Sequence, residues 1–455
     1  MLDTVVRGAL VVTPSQVEKL DVGMRGGVFA ALAAPGELVG RELVDATDMV
    51  LLPGGVDPHV HIATQARDLM TLDDFATATI PAAIGGTTSI VEFAIPRAGE
   101  STAEAIARRH REASDRAVVD YAFHAVVTGG EFDRSLGELA ALREAGVGTV
   151  KMFTAYLDTV GLTIGQTHRV LRECARQQML PLVHCETESL IKEGIAEMVV
   201  SGNLGPSGHA RSRSTLAEAD AIRTISDLAL DAGSRLYIVH ISSAEGAAEV
   251  ARRKAAGQAV LGETCPQYLF LDDSVYARPD GELWICSPPI RPPADVEGLW
   301  REISASTIDV IATDHNCFDR AQKAEHRGDF RDVPNGLPGI ELRMPLLVDA
   351  VQGGRLSWSQ VARLAAESPA RAMGLMPRKG AVAIGFDADF ALVNPAGKTD
   401  LGRSHMATDY TPFVGVVARG SIEQTWLRGT CLVRGGEFIG PPGGGRHLTP
   451  TTFAG

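Results

Sequence analysis

The chain has 455 residues, 45% of them hydrophobic, and a formal charge of −13 from 43 basic and 56 acidic side chains. That length can bury a large domain and a smaller one without disulfides. The acidic balance, with no basic block to track phosphates, excludes a nucleic-acid binder, and no stretch approaches the roughly 20 apolar residues of a membrane span.

Residues 1–50 read as short strands, TVVRGALVVT, KLDVGMRGGVFAAL and ELVDATDMV, punctuated by glycine and without helical periodicity. MLDTVVRGALVVTP has no basic n-region ahead of a long apolar core, so no signal peptide is expected. From 51 to 380 the pattern changes to α/β. Apolar runs VLLPGGVD, TTSIVEFAI, VDYAFHAVV, GTVKMFTAY, LPLVHCE, RLYIVHIS, QAVLGETC and IDVIATDH alternate with helix-like segments such as AEAIARRHREAS and TIGQTHRVLRECARQQ. Continuous apolar runs mark strands buried on both faces. Eight such units predict a (β/α)8 TIM barrel. A doubly wound sheet is the alternative, weakened because no GxGxxG opens any of the helices. Residues 381–440 return to short strands. Neither end piece can hold a core alone, so 1–50 and 381–440 are expected to join in one small β-sandwich, leaving 441–455 as a C-terminal tail. The six cysteines form no CxxC pair and several stand in apolar runs, which fits reduced thiols in a cytoplasmic protein.

Barrel active sites gather at the C-terminal ends of the strands. His59 and His61 end the first run, Lys151 lies near the end of the fourth, His184 ends the fifth, His240 the sixth and Asp314 the eighth. Alternate strand residues share a face, so the two histidines of HVH can meet one ion. HxH alone is more often a pair of ordinary strand histidines; here GGVDP precedes it, and Asp57 is expected to orient a histidine from behind. Lone histidines such as His184 and His240 are more often core residues than ligands, but theirs are the ends of consecutive strands. Lys151 in VKMF is harder to explain, because a buried unpaired lysine is costly. It reads as a salt-bridged core lysine, a Schiff-base lysine, or a lysine carboxylated by CO2 into an anion that bridges two cations. Neighbouring metal-type ligands favour the carboxylated form. The set as a whole is the inventory of a two-metal hydrolytic site, with imidazoles and hard carboxylates that suit Zn2+ or Mn2+.

GGVDPHVH, VKMFTAY, VHCE, VHIS, GETCPQYLFLD, CSPPIR, ATDH, GDFRDVPNGLPGIELRMP and PRKGAVAIGFDADF together resemble the cyclic amidohydrolases of the hydantoinase and dihydropyrimidinase branch, in order along nearly the whole chain. The resemblance implies a (β/α)8 barrel with a β-sandwich, two divalent metals bridged by a carboxylated lysine, hydrolysis of small cyclic amides, and a homo-oligomer, tetramer or dimer. By motif, His59, His61 and Asp314 match the ligands of one metal, His184 and His240 those of the other, and Lys151 the bridge. Tyr156 matches the phenol that bonds the developing oxyanion, and Asp314 the proton carrier. Ser287 and Asn335 match positions whose main chain grips the substrate amide; as plain sequence they read as turn formers. Ala63 stands where dihydroorotase-like sequences usually carry arginine, and Tyr156 with PNGLPG sets the chain apart from allantoinase-like ones. An allantoinase- or dihydroorotase-like amidase and a non-catalytic assembly protein on the same fold are the competing readings. IATQARDLMTLDD has no aromatic residue, and Leu157 and Gly161 stand where relatives often carry lysine and a bulky residue, so the ring substituent is left open.

Overall fold

A computed structural model describes residues 1–66 and 69–451. Seven parallel strands, Gly55–His61, Thr87–Ala94, Asp120–Val126, Thr149–Phe153, Leu180–His184, Leu236–Ile238 and Val260–Thr264, pair in chain order. The eighth comes in two pieces. Val310–Ile311 pairs with Glu263 and Thr264 of the seventh strand, and His315–Asn316 pairs with Val60 and His61 of the first. The ring is thereby closed, and the protein is a (β/α)8 barrel. Every residue of Gly55–His61, Thr87–Ala94 and Asp120–Val126 is buried, as strands lined by side chains inside and covered by helices outside must be.

The helices follow from periodicity and caps. Thr102–Ala113 buries Thr102, Ala105, Arg109 and Ala113, a face recurring every three or four residues. Ser101 and Glu104 close a capping box at its start, as Thr163 and Gln166 do for Ile164–Gln177.

A second, largely antiparallel sheet carries both chain ends. Its centre is Val50–Pro53, which pairs with Leu10 and Val11 on one side and with Phe390–Val393 on the other. The apolar run VLLPGGVD therefore divides: its first half belongs to this sheet and its second half opens the barrel. The reason is local. A Cβ on Gly54 would lie 2.2 Å from Thr88 Oγ1, so the crossing between the sheets leaves no room for a side chain. Phe29, Phe390 and Trp426 fill the sandwich core, the last two stacked at 5.4 Å.

Sandwich and barrel meet at a buried charge cluster. Lys379 Nζ lies 2.6 Å from Asp120 and from Asp389 and 3.0 Å from Asp387, while Arg428 pairs with Asp120. Burial works against the ammonium, but the three carboxylates outweigh it and raise Lys379 above the usual lysine range. The tail runs on from here. Tyr121 N–H donates to Arg446 O at 3.0 Å and Leu448 N–H to Tyr121 O at 2.7 Å, and Leu448 is buried with the barrel interior. Residues 452–455 of the expected tail lie outside the described residues. No helix among the described residues is long and apolar enough to cross a membrane.

Candidate metal centre and active site

The barrel rim brings together all nine side chains singled out by sequence. His59, His61, Lys151, Tyr156, His184, His240, Ser287, Asp314 and Asn335 line one cavity of about 130 Å3, with Phe153, Asn316 and Gly336. His59 Nε2 lies 3.1 Å and His61 Nε2 3.3 Å from the same oxygen, Asp314 Oδ1. Across the cavity, His184 Nδ1 is 2.9 Å from His240 Nε2. Lys151, only 1% exposed, stands between the aromatic faces of Phe93 and Phe153, and its side chain makes no hydrogen bond or ion pair among the described residues.

Three of these residues hold unusual backbone. Tyr156, His240 and Asp314 have φ of 63°, 38° and 51°. A left-handed conformation in such residues costs on the order of 1–3 kcal/mol each and persists where the surroundings enforce it. Asp314 occupies the break between the two halves of the eighth strand. The break turns its carboxylate to the two histidines of the neighbouring strand.

The electrostatics separate the candidate ligands from the carboxylates beside them. Burial disfavours charge on His61, His184 and His240 and lowers all three, His240 farthest, so they present neutral nitrogens. His59 differs. Burial works against its charge too, but Glu263 at 2.6 Å from Nδ1 and Asp314 beyond Nε2 prevail and raise it to about 9. The site thus favours positive charge at the point where His59, His61 and Asp314 converge. His59 Nε2 is buried with no hydrogen-bond partner, and the ligand atoms of these three residues lie within 4.8 Å of one another. A divalent cation satisfies both conditions. Lys151 is lowered to about 8, chiefly by burial, which makes the neutral amine accessible.

One expectation is corrected. Asp57 does not orient an imidazole: its Oδ1 accepts the His59 backbone N–H at 3.3 Å, and its carboxylate is otherwise bound to Thr313. Glu263 takes that task. It accepts from the His59 ring, the His240 backbone N–H at 3.0 Å and the Tyr237 hydroxyl at 2.7 Å. Glu186 does the same for His184 at 2.8 Å, and its carboxylate also pairs with Arg213. Burial opposes the charge on Glu186, but Arg213 and His184 hold it at about 2. Both acids stood in quoted fragments, GETC and VHCE; a carboxylate at the end of an apolar strand was the available signal. Asn316, in the second half of the eighth strand, also lines the cavity and was not singled out by sequence. Arg67 and Asp68 of IATQARDLMTLDD lie outside the described residues. Leu157 is 41% exposed, and Gly161 closes a tight turn beside it.

Residues 50–432 match the Amidohydrolase family model. The chain is 37% identical to the D-hydantoinase of Streptomyces coelicolor over 99% of its length and 98% of that protein, and 34% identical to the D-hydantoinase of Geobacillus stearothermophilus over 97% and 95%. The chain belongs to the hydantoinase and dihydropyrimidinase branch of the amidohydrolase family. The crystal structure of dihydropyrimidinase from Brevibacillus agri NCHU1002 superposes on this amidohydrolase with a TM-score of 0.96, at 34% identity and 100% coverage of both chains. The likeness therefore extends over the sandwich as well as the barrel.

Proposed function

We propose that this amidohydrolase opens hydantoin- or dihydropyrimidine-type rings to N-carbamoyl amino acids. The observation that carries this reading is the meeting of four histidines, Asp314 and a buried, unpaired Lys151 in one rim cavity with Tyr156, Ser287 and Asn335. His59, His61 and Asp314 would hold one divalent cation and His184 and His240 a second, with Lys151 as N6-carboxylysine joining them. Bound there, the cations would lower the pKa of water toward ~7 and polarise a carbonyl. The chain's own groups supply the rest. The Tyr156 hydroxyl donates to the carbonyl oxygen as charge builds on it. Asp314 takes the proton from the attacking water and returns it to the departing ring nitrogen. The Ser287 and Asn335 segments, which line the same cavity, align the amide through their main chain.

Imidazoles with hard oxygen ligands favour zinc, with manganese the second choice. The sandwich is taken as 1–53 and 381–440, since Val50–Pro53 pairs within its sheet and not with the barrel as a start at 51 would require, the catalytic domain as 54–380, and the tail as 441–455. A homotetramer or dimer and a cytoplasmic setting complete the reading; six free cysteines, five of them buried, support the latter. The test is a ring-opening panel of hydantoin, 5-substituted hydantoins, dihydrouracil, allantoin and dihydroorotate with added zinc or manganese. Turnover of the first three supports the proposal, and strong preference for the last two overturns it.

A further inference from the structure

The Tyr156 phenol acts only if its main chain stays in a conformation that aromatic residues avoid, φ 63°. Two restraints surround that main chain. On one side, its carbonyl accepts from Thr159 N–H at 2.9 Å and Gly161 N–H at 2.8 Å, closing a tight loop. Gly161 makes the closure possible, since a Cβ there would stand 2.4 Å from Ala155 O and 2.7 Å from Leu157 N. On the other side, the Tyr156 N–H donates to Glu188 Oε2 at 2.8 Å.

Glu188 is the first residue of the helix Glu188–Val200, next after the fifth strand. Its side chain is 13% exposed, screened enough for a charge-assisted bond to hold geometry. The cap residue Thr187 makes no side-chain bond to the helix and turns to Asp220 instead, at 2.8 Å. Lys192, one turn on, pairs with Glu188 at 3.2 Å and with Asp158 of the loop at 3.1 Å. The loop after the fourth strand is thus tied to the helix after the fifth at the residue that carries the phenol.

We infer that Glu188 is a positioning residue, whose carboxylate fixes the Tyr156 backbone and so keeps the phenol aimed at the reacting carbonyl. The inference rests on the oxyanion role proposed for Tyr156. The metal-loaded enzyme is compared as wild type, E188A, E188D, E188Q, Y156F and E188A/Y156F on the best substrate of the ring panel. E188A is expected to lower kcat about tenfold, with KM within about threefold and metal content and Tm unchanged. E188D keeps the charge at the helix start but falls short of the N–H, and should lose as much. E188Q retains an acceptor oxygen and should recover most of the rate. In the Y156F background E188A should cost nothing further. A full-rate E188A or E188D beside a slowed Y156F would overturn the positioning role alone, as would an equal loss in both backgrounds. A full-rate Y156F would overturn the phenol's role itself.

Discussion

Glu263 joins three groups, the His59 ring, the His240 N–H and the Tyr237 hydroxyl, and thereby sets the distance between two histidines from different strands. Glu263→Gln keeps the shape but loses the anion that faces His59. It should weaken cation affinity about 10- to 100-fold, measured by titration of the metal-free protein. Lys151→Ala removes the group proposed to join the two halves of the ligand set. Both cations and turnover should be lost, with partial rescue by a short carboxylic acid; full metal content and rate in the variant would remove the bridging role. At this scale the side chains that line the rim cavity were legible because polar residues at the ends of apolar runs have few structural explanations. Glu263 and Glu186 were not, because one acid in a strand says nothing of which imidazole it will meet. Asp57 shows the converse: adjacency in sequence suggested a partner ring, but the register shifts between Asp57 and Val60, and the carboxylate meets the His59 backbone and Thr313 instead.

Strand identities were legible from apolar runs, and their ends less so. The run VLLPGGVD reads as one element, yet Gly54 divides it between two sheets. The helix Glu188–Val200 carries no clear apolar face, with Ile191 its one buried residue, so periodicity could not reveal it. A similar concealment surrounds Lys323 in the short helix Arg320–Ala324. It is fully buried and donates to Ile285 O at 2.8 Å, a carbonyl that also accepts from Gly336 N–H at 3.1 Å. That one carbonyl joins the segments carrying Ser287 and Asn335. Burial lowers Lys323 from 10.5 to about 7, against the opposing pull of Cys286 and Glu282. Above pH 7 the unfolded chain therefore holds this proton more tightly than the native one, so the lysine's contribution to stability rises with pH up to about 10. Lys323→Met lacks that dependence. Melting curves from pH 7 to 9 should show wild type gaining on the variant, by at most about 1.4 kcal/mol per pH unit; parallel curves would refute it.

For the whole molecule, the barrel was legible from eight alternating units and the sandwich from the likeness of the two chain ends. The joint between them was not, because Lys379, Asp387 and Asp389, close in sequence, meet the distant Asp120 and Arg428 only in the fold. Lys379→Met would leave the buried Asp120 and Asp389 and the half-buried Asp387 facing one another, with Arg428 on Asp120 and Arg378 on Asp387 as the remaining cations. A loss of about 3–5 kcal/mol is expected, read in denaturant unfolding, with the metal ligands untouched.

The eighth strand has a consequence of its own. The ring is completed by two residue pairs, His315 with Val60 and Asn316 with His61, and the interruption beside them holds Asp314. This two-pair seam thus adjoins Asp314, the residue proposed as cation ligand and proton carrier. On the proposed ligand set, occupancy of the centre would be linked to integrity of the ring. Chelation should speed amide exchange at Asn316, whose N–H reaches Leu337 O at 2.9 Å, before it affects the long second strand Thr87–Ala94. Uniform loss of protection around all eight strands would show that the seam has no such independence.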